Sequence, residues 1–264
     1  GIEIKKEMIS GELDTKAKRV LPVLAAFAGV VTPAIVYYFA AGYMPEFRHG
    51  WGIPTATDIA FAIGVITMLG NMVSAAMKAF LAALAVIDDL IAIVVIALFY
   101  GAGVNFMDLI AAAAVTGLLV YTNKQGYLRP LPYCVLGLVL WYLVLKSGVH
   151  ATIAGVVLAM TIPFKGKVLD KVVYPMEEWA HALKNWVNFF IIPLFSFLNA
   201  GVSFADFSLE NLFHPVIIGV SLGLILGKQL GIFSAVYILV QSKAIKMPTN
   251  TTWPEIYVTA ILCG

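Results

Sequence analysis

Asp58, Asp88 and Asp89 lie well inside apolar runs, and Lys228 does the same on the basic side. At mid-membrane each such charge costs about 2.5 to 3.5 kcal/mol on insertion scales, so four left unpaired would cost on the order of 10 kcal/mol. Packing supplies no compensation of that size, and the default reading is an ion or proton pathway. The plainer reading makes Asp88 or Asp89 a structural partner of Lys228 in a buried ion pair. One lysine, however, cannot neutralise three aspartates.

The run Ala85-Val86-Ile87-Asp88-Asp89-Leu90-Ile91 is central. Neighbouring helical residues point about 100° apart, so the two carboxylates cannot share one direction but can flank one cavity. At low dielectric they cannot both stay charged without a cation. A hard cation binds the oxygens when they are ionised, and protons replace it when they are not. Exchanging one monovalent cation for two carboxylate protons moves net charge and senses the membrane potential. Such chemistry requires no cofactor.

A second cluster is Gly50-Trp51-Gly52-Ile53-Pro54-Thr55-Ala56-Thr57-Asp58-Ile59-Ala60-Phe61. Two glycines, a proline and two threonines weaken a helix here. Two arrangements fit: an ordinary helix start with Pro54 in its first turn, or a helix broken at mid-membrane, where Asp58 offsets the positive ends of half-helices. Lys228 has 13 residues before it from Pro215 and 12 after it to Val240. Too deep to snorkel, it is expected to meet Asp88 or Asp89, as a salt bridge or as a proton-exchanging amine. His150 falls at a helix start, as a cap or packing group or as a pH-responsive one.

The elements that must position these groups are membrane helices. Of the 264 residues, 61% are hydrophobic and 12% charged, with a mean hydropathy of +0.92. Soluble domains have roughly 25% charged residues, which excludes a cytosolic enzyme, a disordered chain and a nucleic-acid binder. The expected fold is an all-α polytopic bundle forming a single transmembrane domain over 1–264, in contact with the lipid bilayer and not with nucleic acid. Eight spans are expected: Val20 to Ala41, Gly52 to Leu69, Ala79 to Tyr100, Leu109 to Tyr121, Leu131 to Leu145, His150 to Phe164, Trp186 to Gly201 and Pro215 to Val240. A ninth begins near Ile256. Four of the eight have 13 to 16 residues, which favours short or interrupted helices.

Charge placement supports the count. Of the 17 Lys and Arg residues, 14 fall in the first, third, fifth, seventh and ninth inter-span segments, two fall in the others, and Lys228 lies within a span. The positive-inside rule then puts residues 1–19 in the cytoplasm. Cys134 and Cys263, 129 residues apart in apolar segments, are expected to be small buried hydrophobes. Nothing at the N-terminus resembles a signal peptide. A chain that opens on Gly and stops within an apolar run reads as a fragment.

Several stretches together resemble the bacterial sodium/proton antiporters of the NhaA type: Gly1 to Glu7, Ile53 to Ala62, Ala85 to Leu90, Leu145 to Gly155, Pro193 to Ser203, and Gly227-Lys228. They run in family order along essentially the whole chain. The resemblance implies an inner-membrane fold of inverted repeats in which two interrupted helices cross near the ion site. It implies that Asp88 and Asp89 carry the exchange of sodium or lithium against protons, that Lys228 pairs with Asp88, and that Thr57 and Asp58 lie at the interruption. Glu3, Lys6 and Glu7 would line the cytoplasmic mouth and, with His150, contribute to pH-dependent activation. The full-length protein would be a homodimer controlling intracellular pH and sodium. Lys6 stands where an Arg is familiar, Gln229 where a Pro is expected, and Glu177, Glu178 and His181 match the family's acidic and histidine cluster only loosely. By the same comparison the chain lacks the first helix and the last helices, so the fold is incomplete and these residues alone are expected not to transport.

Two other classes fit less well. Intramembrane aspartyl proteases carry a Gly-x-Gly-Asp signature and prenyl transferases carry Asp-rich repeats, and neither pattern occurs here. A channel calls for polar periodicity on several helices, whereas these charges gather at one depth.

Overall fold

The computed structural model describes the chain except for residues 11–15, 58, 70–72, 101–102, 104, 169–170, 200–211, 246 and 249–250, and except for the side chains of 3, 4, 7, 10, 16–18, 59, 60, 63, 67, 168 and 199. In chain order the elements are α1 (Ile2–Ser10), α2 (Lys16–Tyr37), a π-helical turn (Tyr38–Gly42), a 3-10 helix (Arg48–Thr55), α3 (Ile59–Met68), α4 (Ala75–Phe99), α5 (Phe106–Lys124), α6 (Pro130–Lys146) and α7 (Thr152–Thr161). There follow strands β1 (Gly166–Val168) and β2 (Lys171–Val173), α8 (Pro175–Trp186), a π turn (Val187–Ile191), α9 (Ile192–Asn199), α10 (Pro215–Leu222), a π turn (Gly223–Lys228), α11 (Gln229–Gln241) and α12 (Trp253–Leu262).

Among the described residues, four helical stretches are long and apolar enough to cross a membrane: Arg19–Gly42, Ala75–Phe99, Phe106–Lys124 and Pro215–Gln241. The expected spans at 131–145 and 150–164 appear as the shorter apolar helices α6 and α7. The expected span at 52–69 is not one helix: the 3-10 helix ends at Thr55, Ala56 is extended (φ −78°, ψ 151°), and α3 starts at Ile59. Pro54 thus sits in the 3-10 helix and not in the first turn of α3, the two helices are parted at Ala56, and Asp58 lies outside the described residues. Within this all-α fold lies one short antiparallel pair, β1–β2, with Lys167 opposite Val172, too short to give a signal of its own.

The chain packs as two compact units, one of 1–6 and 97–207, the other of 7–96 and 208–264. In the first, Asn105 caps α5 by accepting from the Met107 N–H (3.1 Å), and its own N–H reaches the Ser147 carbonyl at the end of α6 (2.9 Å). At the far end of α5 the Asn123 amide donates to the Thr161 carbonyl that closes α7 (2.5 Å). α6 turns Tyr133, Gly137, Leu140 and Val144 inward at helical spacing. Cys134, one residue and about 100° off that stripe, is exposed, against the expectation that it would be buried.

In the second unit α2 packs along the stretch 223–241, and small residues set the separation. Gly219, Gly223, Gly227 and Gly231 recur every fourth residue and so form one face. A Cβ at Gly227 would lie 2.7 Å from Pro33 Cα, and one at Gly231 would lie 2.5 Å from the Ala28 carbonyl oxygen. Such close approach is how apolar helices gain packing where no hydrophobic effect drives them together. The core of this unit joins Leu21, Ala25 and Ala26 of α2 to Leu81 and Leu84 of α4, Ile232 and Val236 of α11, and Ile256 and Ala260 of α12.

Candidate functional site

α4 is buried without a break from Ala83 to Asp88. A helix apolar all round is one enclosed by neighbours, and it carries Asp88 inside, at 1% exposure. Lys228 arrives from the π turn 223–228, where Gly223 and Gly227 admit α2 closely and the ladder is wound to a wider repeat. Such π segments concentrate at functional sites because they re-aim side chains. Lys228 is 0% exposed, and its Nζ lies 2.8 Å from Asp88 Oδ2. Of the two carboxylates that the sequence offered it, Asp88 takes it. The ammonium also donates to the Thr55 carbonyl (2.5 Å), which the extended residue Ala56 leaves outside a continuing helix.

The second oxygen, Asp88 Oδ1, is buried and has no hydrogen-bond partner among the described residues. A buried carboxylate with one oxygen in a charge-assisted bond and the other bare has a lone pair available to a proton or a hard cation. Asp89 follows on the same helix and is half-buried. Thr57, also buried, donates to the Cys263 carbonyl (3.1 Å) at the end of α12, tying the interruption to the last helix. Cys263 is buried as expected and lies within electrostatic reach of both Lys228 and Asp88.

The unit thus brings Lys228 to Asp88, with Asp89 the next residue of α4 and Thr57 bonded to the Cys263 carbonyl. Asp58 lies outside the described residues, as do the side chains of Glu3 and Glu7, whose backbone is helical in α1. Lys6 and His150 belong to the other unit. There, Lys6 pairs at 3.6 Å with the exposed Glu177, and the His150 ring meets the Thr152 hydroxyl at 3.0 Å just before α7. Lys5, which the sequence reading passed over, donates to the Met160 carbonyl (2.8 Å) and to that of Ile162 at the end of α7. Burial holds its amine below the ordinary lysine range. The Thr55 and Cys263 carbonyls were also missed. A backbone acceptor has no side-chain signature, and only the Gly-Pro-Thr punctuation at 52–55 marked that segment as irregular.

By fold and site the chain is an all-α polytopic membrane protein that carries a buried carboxylate–ammonium pair beside a break between two helices. The family model described as Na+/H+ antiporter 1 matches residues 1–264. The chain is 47% identical over 266 residues to the Na(+)/H(+) antiporter NhaA of Caulobacter vibrioides, covering all of this chain and 64% of that protein. It is 46% identical over 264 residues to its namesake from Nitrobacter hamburgensis, covering all of this chain and 65% of that one. The chain therefore belongs to the Na+/H+ antiporter 1 family, is a multi-pass bacterial inner-membrane protein, and spans about two thirds of the length of these relatives.

Proposed function

We propose that the intact protein exchanges sodium or lithium for protons across the bacterial inner membrane and so controls intracellular pH and sodium. The observation that supports this most directly is the Asp88 carboxylate, buried, bonded to Lys228 through Oδ2 and bare at Oδ1 among the described residues. The cation, as substrate, binds Asp88 and Asp89 when both are ionised. In doing so it competes with the Lys228 ammonium for Asp88, because the two like charges repel strongly beside one buried carboxylate at low dielectric. Two protons take the carboxylates in the return state, and Lys228 pairs with Asp88 whenever that carboxylate is ionised and free of the cation.

Exchange of one cation for two protons makes the cycle electrogenic. Thr57 and Asp58 balance half-helix charges at the interruption, while Glu3, Lys6, Glu7 and His150 shape the response to pH. Sodium or lithium suits hard carboxylate oxygens; the transported ions are substrates, and no cofactor or enzymatic step enters the cycle. The intact protein works as a homodimer in the lipid bilayer, without nucleic acid. The test uses the full-length gene product in everted vesicles from antiporter-deficient bacteria, energised by respiration. Sodium or lithium should collapse the proton gradient, and Asp89→Asn should abolish that response. Folded wild-type protein that answers to neither ion between about pH 6 and 9, a range that takes an ordinary histidine from partly charged to neutral, refutes the proposal.

A further inference from the structure

We propose that Tyr37 is a positioning residue for the Asp88–Lys228 pair, acting through the backbone of residues 47–55; this rests on the exchange reading above. Tyr37 is the last residue of α2 and is 0% exposed. Its hydroxyl donates to the Phe47 carbonyl at 2.9 Å. The ring fills a slot shaped by two glycines: a Cβ at Gly50 would lie 2.1 Å from the phenol oxygen, and one at Gly219 would lie 2.9 Å from the ring edge. Any other residue at either position displaces the phenol.

Phe47 immediately precedes the 3-10 helix whose last residue, Thr55, supplies the carbonyl that holds Lys228. At eight residues that helix is long for its kind, and Pro54 removes one of its donors. It therefore depends on outside contacts. At its far end Pro54 is buried where a Cβ on Gly223 would come within 2.7 Å, and the Thr55 hydroxyl turns back to the Gly52 carbonyl (2.7 Å). At its near end Tyr37 is an anchor, beside the edge-to-face contact of Phe47 with His214 (5.0 Å between ring centres). When a cation occupies Asp88, the ammonium loses its carboxylate, and the Thr55 carbonyl is the acceptor still in place. A buried ammonium without an acceptor is costly, so the grip of Tyr37 on this segment favours the cation-bound state. Tyr37 thereby sets the apparent affinity for the cation and leaves the turnover step to other groups.

The test measures KM for sodium and maximal rate with the full-length gene product in energised everted vesicles. Tyr37→Phe keeps the ring and removes the hydroxyl. KM should rise about three- to tenfold, the range spanned by one net hydrogen bond, with the maximal rate changed less than about twofold. Tyr133→Phe is the control for mere loss of a buried hydroxyl. Tyr133 is 1% exposed and donates to the Tyr127 carbonyl at 3.0 Å, the same chemistry in the other unit; its KM should stay at the wild-type value. An unchanged KM in Tyr37→Phe, or an equal rise in Tyr133→Phe, overturns the proposal. Should Tyr37→Phe reach the membrane poorly, Gly50→Ala pushes the intact phenol off Phe47 and should raise KM in the same way. Where both single variants reach the membrane, the double variant should show less than the product of the two effects, and independent effects overturn the shared route. If the wild type shows no sodium response, the exchange reading falls and this proposal with it; an active wild type with an indifferent Tyr37→Phe removes only the proposal.

Discussion

Replacing Lys228 by methionine removes one partner of an ion pair whose side chains are 0% and 1% exposed and whose atoms lie 2.8 Å apart. Breaking such a pair leaves a buried carboxylate uncompensated, at about 3 to 5 kcal/mol. Asp88 can relieve part of this by taking up a proton, so the lower end is the working figure. At about 2 to 4 °C per kcal/mol, a loss of about 3 kcal/mol lowers the melting temperature of the detergent-purified full-length protein by about 6 to 12 °C. Asp88→Asn strands the ammonium and should cost a similar amount. The double variant Asp88→Asn/Lys228→Met removes both charges and should be less destabilised than the sum of the singles, by at least about 1 kcal/mol. Sodium discriminates further. In Lys228→Met the vacated carboxylate is open to the cation, and sodium at about a hundred times its dissociation constant should return about 2.7 kcal/mol. Thermal unfolding of the four proteins in sodium and in choline chloride reads all of this. Additive singles, or equal protection by choline and sodium, would refute the view that Lys228 and a cation compete for Asp88.

Gly231→Ala should weaken the α2–α11 packing by about 1 to 3 kcal/mol, because its Cβ would fall 2.5 Å from the Ala28 carbonyl oxygen and 2.8 Å from the Thr32 hydroxyl; thermal unfolding measures this, and an unchanged melting temperature contradicts the rigid contact. At the start of α12, the Thr252 N–H and hydroxyl both donate to Glu255 Oε2 (2.7 and 2.9 Å), which holds that carboxyl below its ordinary 4.5. A carboxyl depressed in the folded state stabilises above its ordinary value and ceases to do so as pH falls through the lower folded value. Amide exchange over residues 252–255, corrected for intrinsic rates, should therefore accelerate below about pH 4.5, and should be fast and insensitive to pH in Glu255→Ala, which has no acceptor; equal protection in both proteins contradicts the cap.

The family and the class of chemistry are legible in the chain because the membrane turns composition into structure. With no water to satisfy a charge, Asp88, Asp89 and Lys228 stand out against apolar runs, and Gly52, Pro54 and Thr57 mark a place where a helix cannot continue. Residue types and spacings carry that much, since insertion costs depend on one segment at a time. Which aspartate meets Lys228 does not follow from spacing, because the two residues are 140 positions apart and both carboxylates leave one helix at neighbouring angles. Packing of α2 against the glycine face at 219–231 settles it, by bringing the π turn and the interrupted segment together around Asp88. The Thr55 and Cys263 carbonyls enter the site in the same way. Every residue has a carbonyl, so only the tertiary structure selects those that a broken helix leaves facing a buried charge.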